Sequence, residues 1–166
     1  MQLRLLAFDH PDSLTLTAAV QREYVVRYGE EDVTPVEPAQ FAPPNGLFAV
    51  GYLDDRPVAC GGWRRVAEAE DGVGPDDAEL KRMFVLPDAR GRGLARSLLV
   101  YLEVSARDAG CHRMVLETGT EQPEAMALYR SEGYEPIPNF GTYREHPLSR
   151  CFAKSLLDVA GLPAVG

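Results

Sequence analysis

Val85-Leu86-Pro87-Asp88-Ala89-Arg90-Gly91-Arg92-Gly93-Leu94-Ala95-Arg96 decides how this chain is read. A β-type run ends at Pro87-Asp88 and a basic turn with two glycines follows. An apolar stripe then starts at once, with Leu94, Leu98, Tyr101 and Leu102 spaced i, i+4, i+7 and i+8. The pattern is strand, tight turn, helix. The first turn of a helix carries N–H groups without internal partners, and its aligned peptide dipoles make that end positive. Glycines there remove the side chains that would keep a phosphate at a distance, so the turn suits a pyrophosphate. Arg90, Arg92 and Arg96 add charge. Two familiar nucleotide loops do not fit. The P-loop needs a Lys that is missing here, and the dinucleotide GxGxxG needs Gly where Arg96 stands, after a first strand rather than a late one.

Outward from this turn, Glu79 to Leu86 reads as the strand that feeds it, and the helix that leaves it ends at Gly110. On the N-terminal side, Gln2 to Phe8 reads as a strand, and a helix runs from Asp12, a candidate N-cap, to Tyr28. Residues 30–46, with Pro35, Pro38, Pro43 and Pro44, read as loop or broken helix. Gly46 to Tyr52 and Val58 to Val66 form a hairpin signal across Leu53-Asp54-Asp55-Arg56-Pro57. On the C-terminal side, His112 to Thr118 is a strand and Pro123 opens a helix that stops at Gly133. Tyr134 to Ile137 and Ser149 to Leu156 are late strands. This order predicts one α/β sheet, partly antiparallel, with helices on its faces.

The 166 residues suit a single domain over 1–166, large enough for a core without disulfides. Net charge is −8, and residues 1–78, with six basic and fourteen acidic side chains, carry all of it. Residues 81–96 form an island of Lys81, Arg82, Arg90, Arg92 and Arg96 against Asp88 alone. An acidic chain with one compact basic island is unsuited to wrapping nucleic acid but suited to one small polyanion. No apolar run is long enough to span a bilayer, and Met1 to His10 lacks a signal-peptide profile, so no membrane partner and a cytoplasmic location are expected. Cys60, Cys111 and Cys151 and the three histidines show no metal-ligand spacing, so no metal is expected. Cys60 and Cys111 read as buried thiols.

Arg90-Gly91-Arg92-Gly93-Leu94-Ala95 resembles the Arg/Gln-x-x-Gly-x-Gly/Ala signature of the GCN5-related N-acetyltransferase (GNAT) superfamily. Glu79 to Val85 is similar to the family's fourth strand, and Pro123 to Tyr134 to its second signature, a helix ending in Leu-Tyr-x-x-x-Gly-Phe/Tyr. The resemblance implies a GNAT-type mixed sheet whose fourth and fifth strands splay apart in a V. It also implies acetyl-CoA as co-substrate and direct transfer of its acetyl group to an amine.

Residue by residue, it implies that the N–H groups from Gly91 through Arg92, Gly93, Leu94 and Ala95 to Arg96 hold the pyrophosphate, with Arg90 as the signature's basic residue. Met83 and Val85 would pair their main chains with the pantetheine arm, as buried backbone groups need partners. The Val85 N–H would polarise the thioester carbonyl. Gln122 stands where many members have Asn at the pantetheine site, one methylene longer. Tyr129 matches the general acid that protonates the leaving thiolate. Glu79 matches the general base of the histone-modifying branch, needed because an alkyl amine of pKa near ~10 is mostly protonated at neutral pH. Glu117, on the neighbouring strand, is a second candidate at the acceptor side. Phe140 and Tyr143, in the loop between the last strands, are candidate walls of the acceptor pocket.

The expected acceptor is a small-molecule primary amine, an amino acid or related metabolite. A protein or peptide N-acetyltransferase, its basic peptide drawn by the acidic first half, and a non-catalytic acyl-CoA-binding module are the alternatives. Dimers are common in the family, which leaves a homodimer open.

Overall fold

A computed structural model describes residues 1–157, so the expected domain over 1–166 extends past the described residues. In chain order the elements are β1 (Gln2–Leu5), α1 (Pro11–Tyr28), β2 (Gly46–Leu53), β3 (Arg56–Arg65), β4 (Asp77–Val85), α2 (Leu94–Asp108), β5 (Arg113–Gly119), α3 (Pro123–Ser131), β6 (Glu135–Ile137) and β7 (Ser149–Ser155). Short 3₁₀ turns lie at Pro38–Phe41 and Pro87–Ala89.

Two N-terminal expectations need correction. The first strand stops at Leu5 rather than Phe8, because the Ala7 carbonyl accepts from the His10 N–H (3.0 Å) and the Ser13 hydroxyl (2.9 Å) instead of a strand partner. The N-cap of α1 is His10, not Asp12: its Nδ1 accepts the Asp12 N–H at 3.1 Å, and Pro11 occupies the first helical position, where no N–H is needed. The Asp12 carboxylate accepts the Tyr52 hydroxyl instead.

One seven-stranded sheet runs in the order β1-β2-β3-β4-β5-β7-β6. The β2–β3 hairpin turns on Asp54-Asp55, both at positive φ (48° and 61°), as a two-residue turn between right-twisted strands requires. Alternation along β2 and β3 splits the core between two faces. Ala49, Ala59 and Trp63 pack with Leu98, Leu99 and Leu102 of α2, while Phe48, Val50 and Cys60 pack with Leu16 and Val20 of α1. Helices therefore cover both faces of the sheet.

The central pair, β4 and β5, is parallel and short. It joins Asp77↔Arg113, Ala78↔Met114 and Glu79↔Val115, and no further. β4 continues to Val85 and β5 to Gly119, so the strands part like a V. A bulge accompanies the parting. β3 pairs with β4 at Gly62↔Lys81 and again at Cys60↔Phe84, leaving Gly61 alone opposite Arg82 and Met83. Arg82 takes φ 55° there. An extra residue bends a strand and raises its twist, which swings the end of β4 away from β5. Gly61 admits the bulge, because a Cβ on it would crowd the Met83 Cα and the Leu102 side chain at 3.3 Å.

Candidate active site

The turn between β4 and α2 is built as a backbone cradle. Gly91 and Gly93 take φ 75° and 73°, a region that L side chains rarely adopt. A Cβ built on either would meet nothing within 4 Å, so the space in front of the turn is open. Gly93 caps α2 without a side-chain hydrogen bond, and the first N–H to find the Gly93 carbonyl is that of Ser97 (3.1 Å). The N–H groups of Leu94, Ala95 and Arg96 are thus the free first turn of a helix. The three arginines divide their work. Arg90 Nε donates to the Val85 carbonyl (2.9 Å), and its Nη2 to Glu23 Oε2 (2.6 Å). Arg96 binds Glu132 and Ser131 at the end of α3. Arg92 is exposed. Open space, free N–H groups and net positive charge fit a diphosphate, and the cradle would hold that part of acetyl-CoA.

Val85 follows from sheet geometry. The Leu86 N–H donates to the Val58 carbonyl at 2.8 Å. Antiparallel alternation then turns the N–H and C=O of Val85 away from β3, toward the splay. Arg90 occupies that carbonyl, which leaves the Val85 N–H as a donor on that edge. The Met83 side chain packs toward the α2 side of the sheet.

Where β4 and β5 separate, a cleft of about 710 Å³, counted with its open mouth, lies between the end of α1, residues 30–32, β4, the end of β5 and the loop before β7. Glu117, Gln122 and Tyr143 all line it, joined by Tyr24, Tyr28 and Ser149. Gln122 Oε1 accepts from the Tyr28 hydroxyl (3.3 Å) and the Thr118 hydroxyl (3.5 Å). The Tyr143 hydroxyl accepts the Val33 N–H at 2.8 Å, tying the last loop to the acidic segment. A Cβ at Gly119 would collide with the Tyr28 hydroxyl, so the bare backbone of β5 is what lets that ring seat.

The two carboxylate candidates differ sharply. Glu79 lies outside the cleft lining and is held by Arg64 (2.9 Å) and Lys81 (3.0 Å). Burial pushes its carboxyl upward, but Lys81 and Arg64 outweigh that and hold it below the usual range. Such a group is a poor proton acceptor. Glu117 faces the cleft with no ion pair among the described residues, and burial pushes it up to about 7, against a lowering influence from Lys81. The Tyr129 phenol is buried, and burial alone carries it well above its ordinary value. It lies beside the cleft rather than on its lining: Tyr24, a lining residue, has the Tyr129 phenol among its electrostatic neighbours. Phe140 is corrected. It is 4% exposed and packs with Val115, Cys151 and Ala153, because its loop folds back over the sheet and uses the ring as core.

Sequence reasoning missed the Arg82–Asp32 ion pair (2.8 Å), which pins the acidic segment to the β4 bulge and so closes one wall of the cleft. It also missed Tyr24, Tyr28 and Ser149. Nothing in local spacing signals these contacts across the fold. All three cysteines are buried free thiols, and burial raises Cys60 to about 12 and Cys151 to about 11.

The chain belongs to the acetyltransferase (GNAT) family, whose pattern it matches over residues 14–134. It is 40% identical over 115 residues, 69% of this chain and 71% of the other, to the IAA acetyltransferase of Azospirillum brasilense. It is 30% identical over 140 residues, 81% of each chain, to the uncharacterized N-acetyltransferase YjgM of Escherichia coli. The PaiA N-acetyltransferase of Thermoplasma acidophilum, solved in complex with coenzyme A, shares the fold with a TM-score of 0.68 at 14% identity, over 93% of this chain and 99% of that one. The protein is therefore an acetyl-CoA-dependent N-acetyltransferase. No helix among the described residues is long and apolar enough to cross a membrane.

Proposed function

We propose that the protein acetylates the primary amine of a small molecule held in the cleft between β4 and β5, by direct attack and without an acyl-enzyme. Acetyl-CoA supplies the activated acetyl group. The observation that carries this reading is Glu117, a carboxyl without an ion pair among the described residues, pushed up to about 7 by burial, on the wall of the open-mouthed cleft at the strand splay.

An amine of pKa near ~10 arrives protonated, and a carboxylate poised near the working pH takes its proton most effectively. We assign that role to Glu117 rather than Glu79, whose two cations hold its charge. The Val85 N–H faces the splay, where it can polarise a carbonyl. Tyr129 stays protonated at all ordinary pH values and donates its hydroxyl toward the departing sulfur. Buried cysteines with raised pKa values are unsuited to nucleophilic work, which supports direct transfer. The cleft's lining by the end of α1, β4, β5 and the loop before β7 supports a small acceptor over an extended peptide.

The test offers a panel of free amines and basic peptides with acetyl-CoA and follows thiol release. Faster release from the amines is expected. Faster release from the peptides overturns the small-molecule reading, and CoA binding without release from any acceptor overturns catalysis.

A further inference from the structure

We propose that Lys81 is a positioning residue for the base: anchored on Glu79, its ammonium faces Glu117 across the splay and balances the charge of the Glu117 carboxylate. The inference rests on the reading above that Glu117 takes the acceptor's proton.

The ladder places the two side chains. β4 and β5 pair at Asp77↔Arg113, Ala78↔Met114 and Glu79↔Val115. Carried two residues further, that register would set Lys81 directly opposite Glu117, on the face that Glu79 and Val115 share. The strands part first. On its other side β4 still pairs Lys81 with Gly62 of β3, so the lysine stays in the sheet while Glu117 leaves with β5. Lys81 Nζ binds Glu79 Oε1 at 3.0 Å, two residues back along its own strand, and makes no ion pair with Glu117. Both Lys81 and Glu117 line the cleft.

Two cations share one carboxylate here. Arg64 Nε also holds Glu79, at 2.9 Å, and its other partners are neutral: the Pro35 carbonyl and the Gln40 side-chain oxygen, each at 2.8 Å. One positive charge is left over, and Lys81 is only 8% exposed. A buried surplus charge needs a counter-charge. Glu117 supplies it when ionised, and the splay keeps the two far enough apart that this carboxylate is favoured without being locked as Glu79 is.

The other groups around Glu117 do not replace Lys81. Burial raises the Glu117 carboxyl, Lys81 lowers it, and Asp32 and Glu79 raise it further. Arg82 is spent on Asp32 at 2.8 Å. α1 contributes the Tyr24 and Tyr28 phenols and the last loop that of Tyr143, all raised by burial. Cys151 of β7 stands opposite Glu117 in the ladder, and burial raises its thiol to about 11. His146 is exposed, and its Nδ1 accepts the Leu148 N–H at 3.2 Å. Glu30 and Glu31 are exposed acids.

The experiment follows the Glu117 side-chain carboxyl by carbon-13 NMR in glutamate-labelled protein, its signal assigned by its loss in Glu117→Gln. In the parent it should titrate at about 7. Lys81→Met, or Lys81→Gln where the apolar variant folds poorly, removes the charge while Arg64 still holds Glu79. The midpoint should then move up by about one pH unit. Lys81→Arg keeps the charge and should keep the midpoint close to the parent's. The bend in kcat/KM, read by thiol release with the fastest amine of the panel above, should move with it. Relative to the parent, the charge-free variants should lose about fivefold at pH 7 and recover by about pH 9. A loss that is equal at every pH makes the lysine merely structural and overturns the inference. An unmoved midpoint overturns it too, and leaves Glu117 as the base. A midpoint that moves while the bend stays overturns Glu117 as the base, and the part of Lys81 in catalysis with it.

Discussion

Glu79 is paired across the sheet with Val115, the last β5 residue that β4 reaches, and Glu117 lies two residues further along the same face of β5. That short step separates a carboxylate locked between Arg64 and Lys81 from one that faces the cleft with a pKa near 7. The splay begins between them, so two acids on one face acquire opposite chemistry.

The pH profile follows. Glu117 must be deprotonated to accept a proton, so kcat/KM should rise with pH and bend near 7. Glu117→Gln should lower kcat by about 10²- to 10⁴-fold and remove the bend. Glu79→Gln leaves Arg64 and Lys81 unmatched, so its effect should fall chiefly on stability, read as a lowered Tm. A bend near 7 that survives in Glu117→Gln assigns the base elsewhere.

The same variant should be more stable than the parent in one pH window. The folded pKa of Glu117 lies above its unfolded value of about 4.5, so the folded state binds the extra proton. Stability is therefore lost as pH rises from about 4.5 to 7, and a neutral Gln avoids that loss. Denaturant melts should show Glu117→Gln gaining about 1–3 kcal/mol on the parent at pH 8 compared with pH 4.5.

Tyr129 calls for a split between rate and binding. Tyr129→Phe keeps the ring that packs against Tyr134 at 5.6 Å and removes only the hydroxyl. kcat should fall by about tenfold or more while calorimetric CoA affinity changes little. An unchanged kcat would remove this phenol from the chemistry.

The cradle is tested at Gly93. Gly93→Ala puts a methyl into open space, so it clashes with nothing in the protein, although φ 73° costs about 1–2 kcal/mol of strain. A drop in CoA affinity of tenfold or more, larger than the loss in Tm explains, reports the methyl meeting the diphosphate.

Arg90 is a clip between the turn, Val85 and α1. Because Glu23 Oε2 holds its far end at 2.6 Å, Glu23→Gln should reproduce part of the loss in CoA affinity seen in Arg90→Ala. If only Arg90→Ala weakens CoA, the guanidinium acts on the ligand itself.

Local sequence carried the elements and the cradle. Pro87-Asp88 and the glycines at 91 and 93 mark a strand end, a positive-φ turn and a free helix start, all fixed by dihedral preference and missing side chains over a few residues. Asp54-Asp55 and the Leu94–Leu102 stripe are legible for the same reason. The acceptor site is not local. It gathers α1, residues 30–32, β4, β5 and the loop before β7, and which carboxyl is free depends on ion pairs such as Arg82 with Asp32, fifty residues apart. Phe140 shows the limit in the other direction: an aromatic in a Pro- and Gly-containing loop reads as a pocket wall, yet tertiary packing buries it. Short-range sterics wrote the turn and the helix into the sequence. Charge pairing and desolvation, which depend on what the fold brings close, chose Glu117.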